Sequence, residues 1–400
     1  MHTSSRQAGI PQGLIIIAIS LLPMMAIVAL MPIVPLLVQH FHDVPNIQTM
    51  APLVLSAPGL CVALLSPFAG WLADRFGRRQ LAIGFAAVYG IGGMIPVFVQ
   101  DFNVLLGSRL LLGVGESVIL TMGNTLLGDY FPKEQRAKWL MWQGIVGSAC
   151  GSGLLALSGY LAGFGWNFAF LVYGLALVIA AAAYFFLFEP ERVPAKNFTA
   201  SGTFIPPRFP RALMVRLAGT TLVLASLYFV YTLQFSLALD ALGLKEAHRI
   251  GNYSAVASFA VPLGAILFKV LSTRRSVLQF TVLFLLLGTG MAGIGLSRDV
   301  NAVVAFAFVQ QLGAGMCIPI LIGWGLRELP DEFRGRGMGM WVSAFFLGQF
   351  VSPLLVTLLR GWTGGLLQTF VACGATCIAI AVGNLLLGRR RTPAIARPAA

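Results

Sequence analysis

Two ionisable side chains stand within a predominantly apolar stretch of the chain. Arg109 and Glu116 are seven residues apart inside the run from residue 103 to residue 128. Seven residues are about two helical turns, so both side chains project from nearly the same face of one helix. A charge at the centre of a membrane helix costs about 2.5 to 3.5 kcal/mol on insertion scales, and such residues usually mark a functional pathway.

Glu116 has the properties that a proton-carrying group needs. It is the only Asp or Glu near the middle of any predicted membrane span. Removal from water favours the protonated form of a carboxyl group, which makes proton uptake and release possible near neutral pH. We therefore predict that Glu116 carries a coupling proton and that Arg109 modulates it. A glutamate that only hydrogen-bonds within helix packing is the alternative.

Neutral polar side chains in other predicted helices are candidates to line a substrate cavity. The candidates are Tyr228, Tyr231, Gln234, Gln310, Gln311, Gln143 and Gln349. An internal repeat is expected to place Gln310 opposite Arg109, as two halves that face one cavity would do. A tyrosine in an apolar helix can also serve packing alone, with its hydroxyl satisfied locally.

The elements that must position these groups are helices in a membrane. Hydrophobic residues make up 58% of the 400 residues and charged residues 10%, whereas soluble domains carry about 25% charge. A helix satisfies every backbone polar group internally, as lipid requires. Twelve apolar runs are long enough to cross a hydrocarbon core, and we predict transmembrane helices at 13–38, 47–72, 80–99, 103–128, 138–163, 166–188, 213–240, 250–271, 276–297, 301–326, 338–360 and 363–388.

The net charge of +13 is explained by the positions of the basic residues, and no nucleic-acid partner is expected. With the N-terminus inside, 22 of the 27 Lys and Arg residues fall on cytoplasmic segments. This is the positive-inside bias of membrane proteins. We predict a multi-pass protein of the bacterial inner membrane, in contact with lipid, with both termini cytoplasmic.

The chain is predicted to consist of two repeated halves. Residues 1–188 form a six-helix bundle, residues 189–212 a cytoplasmic linker, and residues 213–400 a second six-helix bundle with a short basic tail. A Gly-x-Gly pattern at 113–115 recurs at 313–315 with an offset of 200, and a Pro-x-x-x-Arg pattern at 132–136 recurs with an offset of 198. Parallel repeats of this size are typical of secondary transporters whose site lies between the halves.

The segment Gly70-Trp-Leu-Ala-Asp74-Arg75-Phe-Gly77-Arg78-Arg79 resembles the signature loop of the major facilitator superfamily. The resemblance implies an all-α membrane protein of twelve transmembrane helices, with two six-helix bundles in a pseudo-twofold arrangement and transport by alternating access. In that family the loop holds an acid at the end of helix four and latches the outward-facing state. The latch residues implied here are Asp74, Arg75, Arg78, Asp129 and Arg136.

The segment from Arg109 to Gly115 resembles the family's Arg-x-x-x-Gly-x-Gly signature, in which the arginine is linked to coupling. The Gly-Pro pair that family antiporters often carry in helix five is missing, because no proline lies between Pro132 and Pro190. The direction of transport is therefore open at this point.

Three functions compete. The first is proton-coupled export of small amphipathic compounds. The alternative is a proton symporter or uniporter that imports an organic acid or similar nutrient, which Arg109 and the missing antiporter motif favour. The third is a membrane enzyme or receptor, which a single mid-membrane glutamate supports poorly.

The chain has no phosphate-binding loop for ATP. We expect a monomer with a small-molecule substrate, protons as coupling ion, and neither cofactor nor metal.

Overall fold

The computed structural model describes residues 8–189, 211–329 and 333–390. It contains twelve helices long and apolar enough to cross a membrane, which confirms the predicted number. In chain order they are α1 (Ile10–His40), α2 (Ile47–Phe76), α3 (Arg78–Phe98), α4 (Phe102–Tyr130), α5 (Lys133–Leu161), α6 (Trp166–Phe186), α7 (Arg211–Ala241), α8 (Ala247–Leu271), α9 (Ser276–Leu296), α10 (Val300–Glu328), α11 (Arg334–Thr363) and α12 (Leu366–Arg390). Several run a few residues past the predicted ends, because the helix continues beyond its apolar run.

Two faces of the molecule can be distinguished by the helix ends. We call the side where α2 ends and α3 begins the basic face, since Arg75, Arg78 and Arg79 lie there. The other side, where α3 ends and α4 begins, is the opposite face. There the Asp101 carboxylate caps α4 by accepting hydrogen bonds from the next turn, including one of 2.9 Å from the Val104 N–H.

Helix α1 is broken in its middle. Its first α-helical segment ends at Val28, and a 3-10 turn leads into a second segment from Val34. The prolines at 32 and 35 lack the N–H groups that would continue the helix. In the break the Leu30 N–H donates to the Ile27 carbonyl at 3.1 Å, so the Ala26 carbonyl lacks its usual helical donor.

Six of the described helices lie before residue 189 and six after residue 211, and they form two halves. In the N-terminal half α4 packs against α1, α2 and α3, and in the C-terminal half α9 packs against α10 and α12. Between the halves the main contacts are α2 with α11 and α5 with α8. Since α8 repeats α2 and α11 repeats α5, these two contacts are related by a pseudo-twofold axis.

The internal repeat has a register of 198 residues. Gly115 packs against the backbone of Tyr89 in α3, and Gly313 packs in the same way against the backbone of Leu287 in α9. The two members of each equivalent pair are 198 positions apart. The predicted offset of 200 for the Gly-x-Gly pattern is therefore wrong by two residues. The two glycines of each pattern are two positions apart, so an alignment shifted by two residues still matches one glycine of each pair.

The contact between α2 and α11 is closed near the opposite face. The hydroxyls of Thr49 and Thr357 lie 2.8 Å apart, and the Arg360 guanidinium donates to the Gln48 amide oxygen at 2.7 Å. These two hydrogen bonds join the halves where α2 begins and α11 ends.

The contact between α5 and α8 is also tightest near the opposite face. A Cβ atom at Gly159 would lie 2.6 Å from the Ala247 carbonyl oxygen, and one at Gly251 would lie 2.6 Å from that of Leu155. Only glycine lets the two backbones approach this closely. Towards the basic face, by contrast, the second part of α8 from Ala260 to Leu271 makes few contacts with α5. The space between the halves is therefore closed at the opposite face and opens towards the basic face.

Candidate functional site

Arg109 lies wholly inside the N-terminal half. Its side chain is 0% exposed, and its guanidinium donates to carbonyls of α3, including that of Gly92 at 3.1 Å. The Gly92 carbonyl needs such a donor because Pro96, one helical turn later, has no N–H group. The guanidinium also lies 4.9 Å from each of two ring centroids in α6, those of Phe170 and Tyr173. Arg109 of α4 thus connects α3 and α6 in the buried core of this half.

Glu116 is buried in the same core. It is 1% exposed, and neither carboxyl oxygen has a hydrogen-bond partner among the described residues. The groups within electrostatic reach are the Cys61 thiol of α2 and the hydroxyls of Tyr89 in α3 and Tyr173 in α6. An ionised carboxylate buried without a donor is costly, so this arrangement suits the neutral carboxyl group.

The two tyrosines connect this core to α1, Tyr89 within its first segment and Tyr173 at its break. The Tyr89 hydroxyl donates to the Leu22 carbonyl at 2.6 Å. The Tyr173 hydroxyl lies 3.2 Å from the Ala26 carbonyl, which lacks its helical donor, and 3.3 Å from that of Met25. Sequence reasoning missed both residues. The available signal was that a tyrosine in an apolar helix needs a partner for its hydroxyl.

Arg109 and Glu116 belong to one cluster of side chains. The structure describes no ion pair between these two residues. Tyr89 and Tyr173 each interact electrostatically with both charged residues. The predicted placement on one side of α4 agrees with this arrangement. The coupling role of the two residues stays a prediction.

Gln310 does not lie opposite Arg109. In the 198-residue register the residue equivalent to Arg109 is Ala307, and Gln310 is equivalent to Leu112. Gln310 packs against Gly290 of α9 inside the C-terminal half. The expectation that Gln310 lies opposite Arg109 is therefore wrong, because the two residues are not equivalent in the repeat and Arg109 is enclosed by α3, α4 and α6.

The other neutral polar candidates differ in burial. Tyr228 and Gln143 are half-buried, and Gln311 is buried in α10. The Tyr228 ring lies 5.9 Å from that of Phe345, which joins α7 to α11. These contacts place Tyr228 beside the helix that meets the N-terminal half.

Three of the candidates are buried and have unpaired polar atoms. Gln234, Gln310 and Gln349 each have a side-chain atom without a hydrogen-bond partner in the described part of the chain. The Tyr231 hydroxyl, by contrast, is hydrogen-bonded to Gln311. The Gln349 amide lies 3.0 Å from the place that a Cβ atom at Gly59 of α2 would take, so it sits between the halves. A buried polar group without a partner is costly. These side chains are therefore the ones available to a bound molecule.

The predicted latch forms in part at the basic face. Arg78 and Asp129 make an ion pair that joins the start of α3 to the end of α4. Arg136 donates to the Phe131 carbonyl at 2.8 Å and also to the carbonyl of Gly128, and thereby fixes the turn between α4 and α5. All these contacts lie within the N-terminal half.

Two other predicted latch residues take no described part in that ion pair. The Arg75 guanidinium lies 5.6 Å from the Trp71 ring centroid and at the same distance from that of Phe76. The side chain of Asp74 lies outside the described part of the structure. The latch role of these residues stays a prediction.

Glu189 contacts the start of α3 at the basic face of the N-terminal half, although the sequence predicted it to lie in the linker. Its carboxylate accepts the Arg78 N–H at 2.7 Å and the Arg79 N–H at 3.1 Å, and so caps α3. The Arg79 guanidinium in turn donates to the carbonyls of Tyr184 at 2.6 Å and Leu187 at 2.7 Å at the end of α6. The sequence signal was an acid placed directly after an apolar run.

Two repeated halves that enclose buried, unpaired polar groups define a multi-pass membrane transporter. The model of the Major Facilitator Superfamily matches residues 16–251, and the chain belongs to that superfamily. This confirms the resemblance seen in the loop between α2 and α3. Because the family and the relatives are transporters, the chain is a transporter and not an enzyme.

Several curated proteins resemble the chain along most of its length. It is 23% identical to the gentisate transporter of Corynebacterium glutamicum, over 83% of this chain and 78% of that protein. It is 24% identical to the 3-(3-hydroxy-phenyl)propionate transporter of Escherichia coli, over 81% of both chains. The putative multidrug resistance protein MdtD of Pectobacterium carotovorum is 27% identical over 36% of this chain and 31% of its own length.

Solved transporter structures share the fold. A mutant of the nucleoside transporter NupG superposes with a TM-score of 0.73 at 11% identity, covering 93% of this chain and 99% of that one. A bacterial homologue of the human lysosomal transporter Spinster superposes with a TM-score of 0.70 at 15% identity, covering 96% and 98%. At this level of identity the likeness supports the fold alone.

Proposed function

We propose that the chain is a proton-coupled transporter in which Glu116 takes up and releases the coupling proton. The observation that supports this most directly is a carboxyl group buried in α4 with no hydrogen-bond partner among the described residues. Such a group is neutral while enclosed and ionises when water reaches it. Opening one side of the transporter would therefore change the charge of Glu116.

We further propose that the substrate is an organic acid with an aromatic ring. Two of the relatives that cover about four fifths of the chain are named for gentisate and 3-(3-hydroxy-phenyl)propionate, which are aromatic carboxylates. The Gln349 amide nitrogen, which has no partner among the described residues, can donate a hydrogen bond to a carboxylate without a fixed charge. If a proton moves with the anion, the pair carries no net charge, which lowers the cost of crossing the membrane.

Export of amphipathic compounds is a second candidate, and it was the first expectation from the sequence. It is supported by the similarity to the multidrug resistance protein MdtD, which covers only 36% of this chain. The longer matches to the aromatic-acid transporters favour uptake of an acid.

We also propose that the basic face is cytoplasmic, with both termini there, because 22 of the 27 Lys and Arg residues then lie inside. In this orientation the described structure opens to the cytoplasm. A reporter fused after Ala400 should be cytoplasmic, and one inserted near Lys245 should be periplasmic. The opposite result for either would reverse the assignment.

Transport by purified protein in liposomes tests the function. Labelled gentisate should accumulate when the outside is made acidic, and a proton ionophore should abolish the accumulation. A labelled amphipathic drug and a labelled sugar serve as comparison substrates, with protein-free liposomes as the control. Accumulation of the drug alone, driven by an acidic interior, would establish proton-coupled export instead. Gentisate uptake that ignores the pH gradient would contradict proton coupling.

A further inference from the structure

We propose that Tyr89 and Tyr173 are positioning residues that transmit the charge of Glu116 to the break in α1, and through it to the closure of the opposite face. This inference rests on the proposed role of Glu116 as the proton carrier. It adds two residues and a route by which a proton changes the conformation.

The route depends on competition for two hydroxyl protons. A tyrosine hydroxyl has one proton to donate. In the described structure Tyr89 gives its proton to the Leu22 carbonyl, and Tyr173 lies in reach of the Ala26 carbonyl. Both oxygens of Glu116 are meanwhile unpaired. The hydroxyls therefore serve α1 while the carboxyl group is neutral.

Loss of its proton makes Glu116 a stronger hydrogen-bond acceptor than the α1 carbonyls. A hydrogen bond to a carboxylate is about twice as strong as one to a neutral carbonyl. An ionised Glu116 therefore draws the hydroxyls of Tyr89 and Tyr173 away from α1. The carboxyl oxygens are not in hydrogen-bonding geometry with either hydroxyl in the described structure. The change therefore also requires the Glu116 side chain to turn towards the two hydroxyls.

Other groups around Glu116 do not substitute for the tyrosines. The described titratable side chains that interact with it are the Cys61 thiol from α2, Tyr89 from α3 and Tyr173 from α6. Arg109 lies two turns away on the same helix and interacts with the two tyrosines. Cys61 donates to a carbonyl of α4 at 3.4 Å, and the Arg109 guanidinium is held by α3 carbonyls and by the α6 rings. At this depth in the membrane, the groups of α1 that the tyrosines contact are backbone carbonyls.

The break in α1 is where a lost hydrogen bond has the largest effect. The Ala26 carbonyl has no helical donor, so Tyr173 replaces that donor. The adjacent Ala29 carbonyl accepts from the Ser158 hydroxyl of α5. The 3-10 turn of the break packs against α7 and α8 of the other half, and the outer segment of α1 packs against α7. Release of the break therefore loosens a contact that closes the opposite face.

Spin labels can report this closure. The reporter protein has its five native cysteines replaced by alanine and carries Gln48→Cys and Arg360→Cys, whose parent side chains touch across the halves. Pulsed electron spin resonance then measures the population with a short distance between the labels. In the reporter protein this population should fall from acidic to alkaline pH, and with Glu116→Gln it should stay high at both.

The tyrosines are tested in the Glu116→Gln reporter, where the proton carrier is already fixed. Adding Tyr89→Phe and Tyr173→Phe removes both hydroxyls and keeps the rings, so the ratio of closed to open protein should fall about tenfold at every pH. Tyr160→Phe, on the exposed surface of α5, should leave the ratio unchanged. If the triple variant fails to fold, each Tyr→Phe change alone in that background should lower the ratio about threefold.

The possible failures are distinct. If the variants that lack the hydroxyls stay as closed as Glu116→Gln, the tyrosines serve packing only and the inference is overturned. If Glu116→Gln keeps the pH dependence of the reporter protein, Glu116 is not the proton carrier, and the proposed function loses its coupling site regardless of the tyrosine result.

Discussion

In the N-terminal half α4 carries Arg109 and Glu116, whereas the equivalent helix α10 of the C-terminal half carries Ala307 and Ala314 at these positions. The tyrosine at 89 is likewise replaced by a buried leucine at 287. The glycine contacts around these positions are nevertheless the same in both halves. The helices can therefore pack in this way without any charge, which suggests that the charged cluster is kept for a function of the N-terminal half.

The C-terminal half has buried polar groups of its own, but they are neutral. Gln234 and Gln349 have amide atoms without partners among the described residues, and Gln349 lies against α2 of the other half. Neutral groups cannot take part in coupling by titration near neutral pH. The comparison thus favours a division in which the N-terminal half handles the proton and the C-terminal half binds the substrate.

The largest expected effect concerns the carboxyl group that only the N-terminal half has. Glu116→Gln should lower pH-driven accumulation of substrate about tenfold or more, and leave substrate exchange intact, because an amide mimics the neutral carboxyl. Both rates can be measured in proteoliposomes with labelled substrate. Glu246→Gln, at the exposed start of α8, is the control and should behave as wild type. Full pH-driven accumulation by Glu116→Gln would end the proposed division between the halves.

The equivalent glycines test the comparison from the side of packing. A Cβ atom at Gly115 would lie 2.9 Å from backbone of α3, and one at Gly313 would lie 2.9 Å from a side chain and 3.0 Å from backbone of α9. Gly115→Ala and Gly313→Ala should each lower the stability by about 1 to 3 kcal/mol, measured by thermal unfolding in detergent. Gly107→Ala on α4 meets open space and should be neutral.

Only Gly115→Ala should also change the pH dependence of transport, because it displaces Tyr89 next to Glu116. An equal change of the pH profile in Gly313→Ala would show that the C-terminal half takes part in proton handling as well.

A third variant tests the C-terminal half, whose buried polar groups are neutral. Gln349→Leu removes an amide that lies between the halves, and loss of one hydrogen bond of about 1 kcal/mol should raise the KM about fivefold. The pH dependence of transport should not change. Gln368→Leu, at the exposed start of α12, is the control. A shifted pH profile with an unchanged KM would place Gln349 in coupling instead of binding.

The smallest effects are expected at the ion pairs of the basic face. Arg78 pairs with Asp129 in the N-terminal half, and Arg216 pairs with Glu328 at 2.7 Å in the C-terminal half. Both pairs are partly exposed, so Asp129→Asn and Glu328→Gln should each change stability by about 1 kcal/mol or less. Asp129→Asn should nevertheless slow transport about threefold if its pair acts as a latch.

Transport rates of the two variants, compared at equal amounts of protein in the membrane, decide this point. Equal rates in Asp129→Asn and Glu328→Gln would reduce the N-terminal pair to an anchor for the loop between α2 and α3.

The sequence by itself determined the membrane class, the twelve spans, the two halves and the superfamily. Apolar runs and basic loops are local signals, because the length of a run and the charges that flank it decide whether a segment crosses a membrane. The signature loop also predicted the partner of Arg78, since Asp129 lies at a helix end whose position follows from the spans.

Only the tertiary structure decided how the polar groups are paired. The carbonyl that receives Arg109 is free because of Pro96 in another helix, and the tyrosines contact α1 across 67 and 147 residues of sequence. Such contacts depend on which helix faces which, and a glycine pattern that overlaps itself left that register undecided by two residues. The side on which the halves are closed was likewise settled by backbone approach at Gly159 and Gly251, which no local pattern reveals.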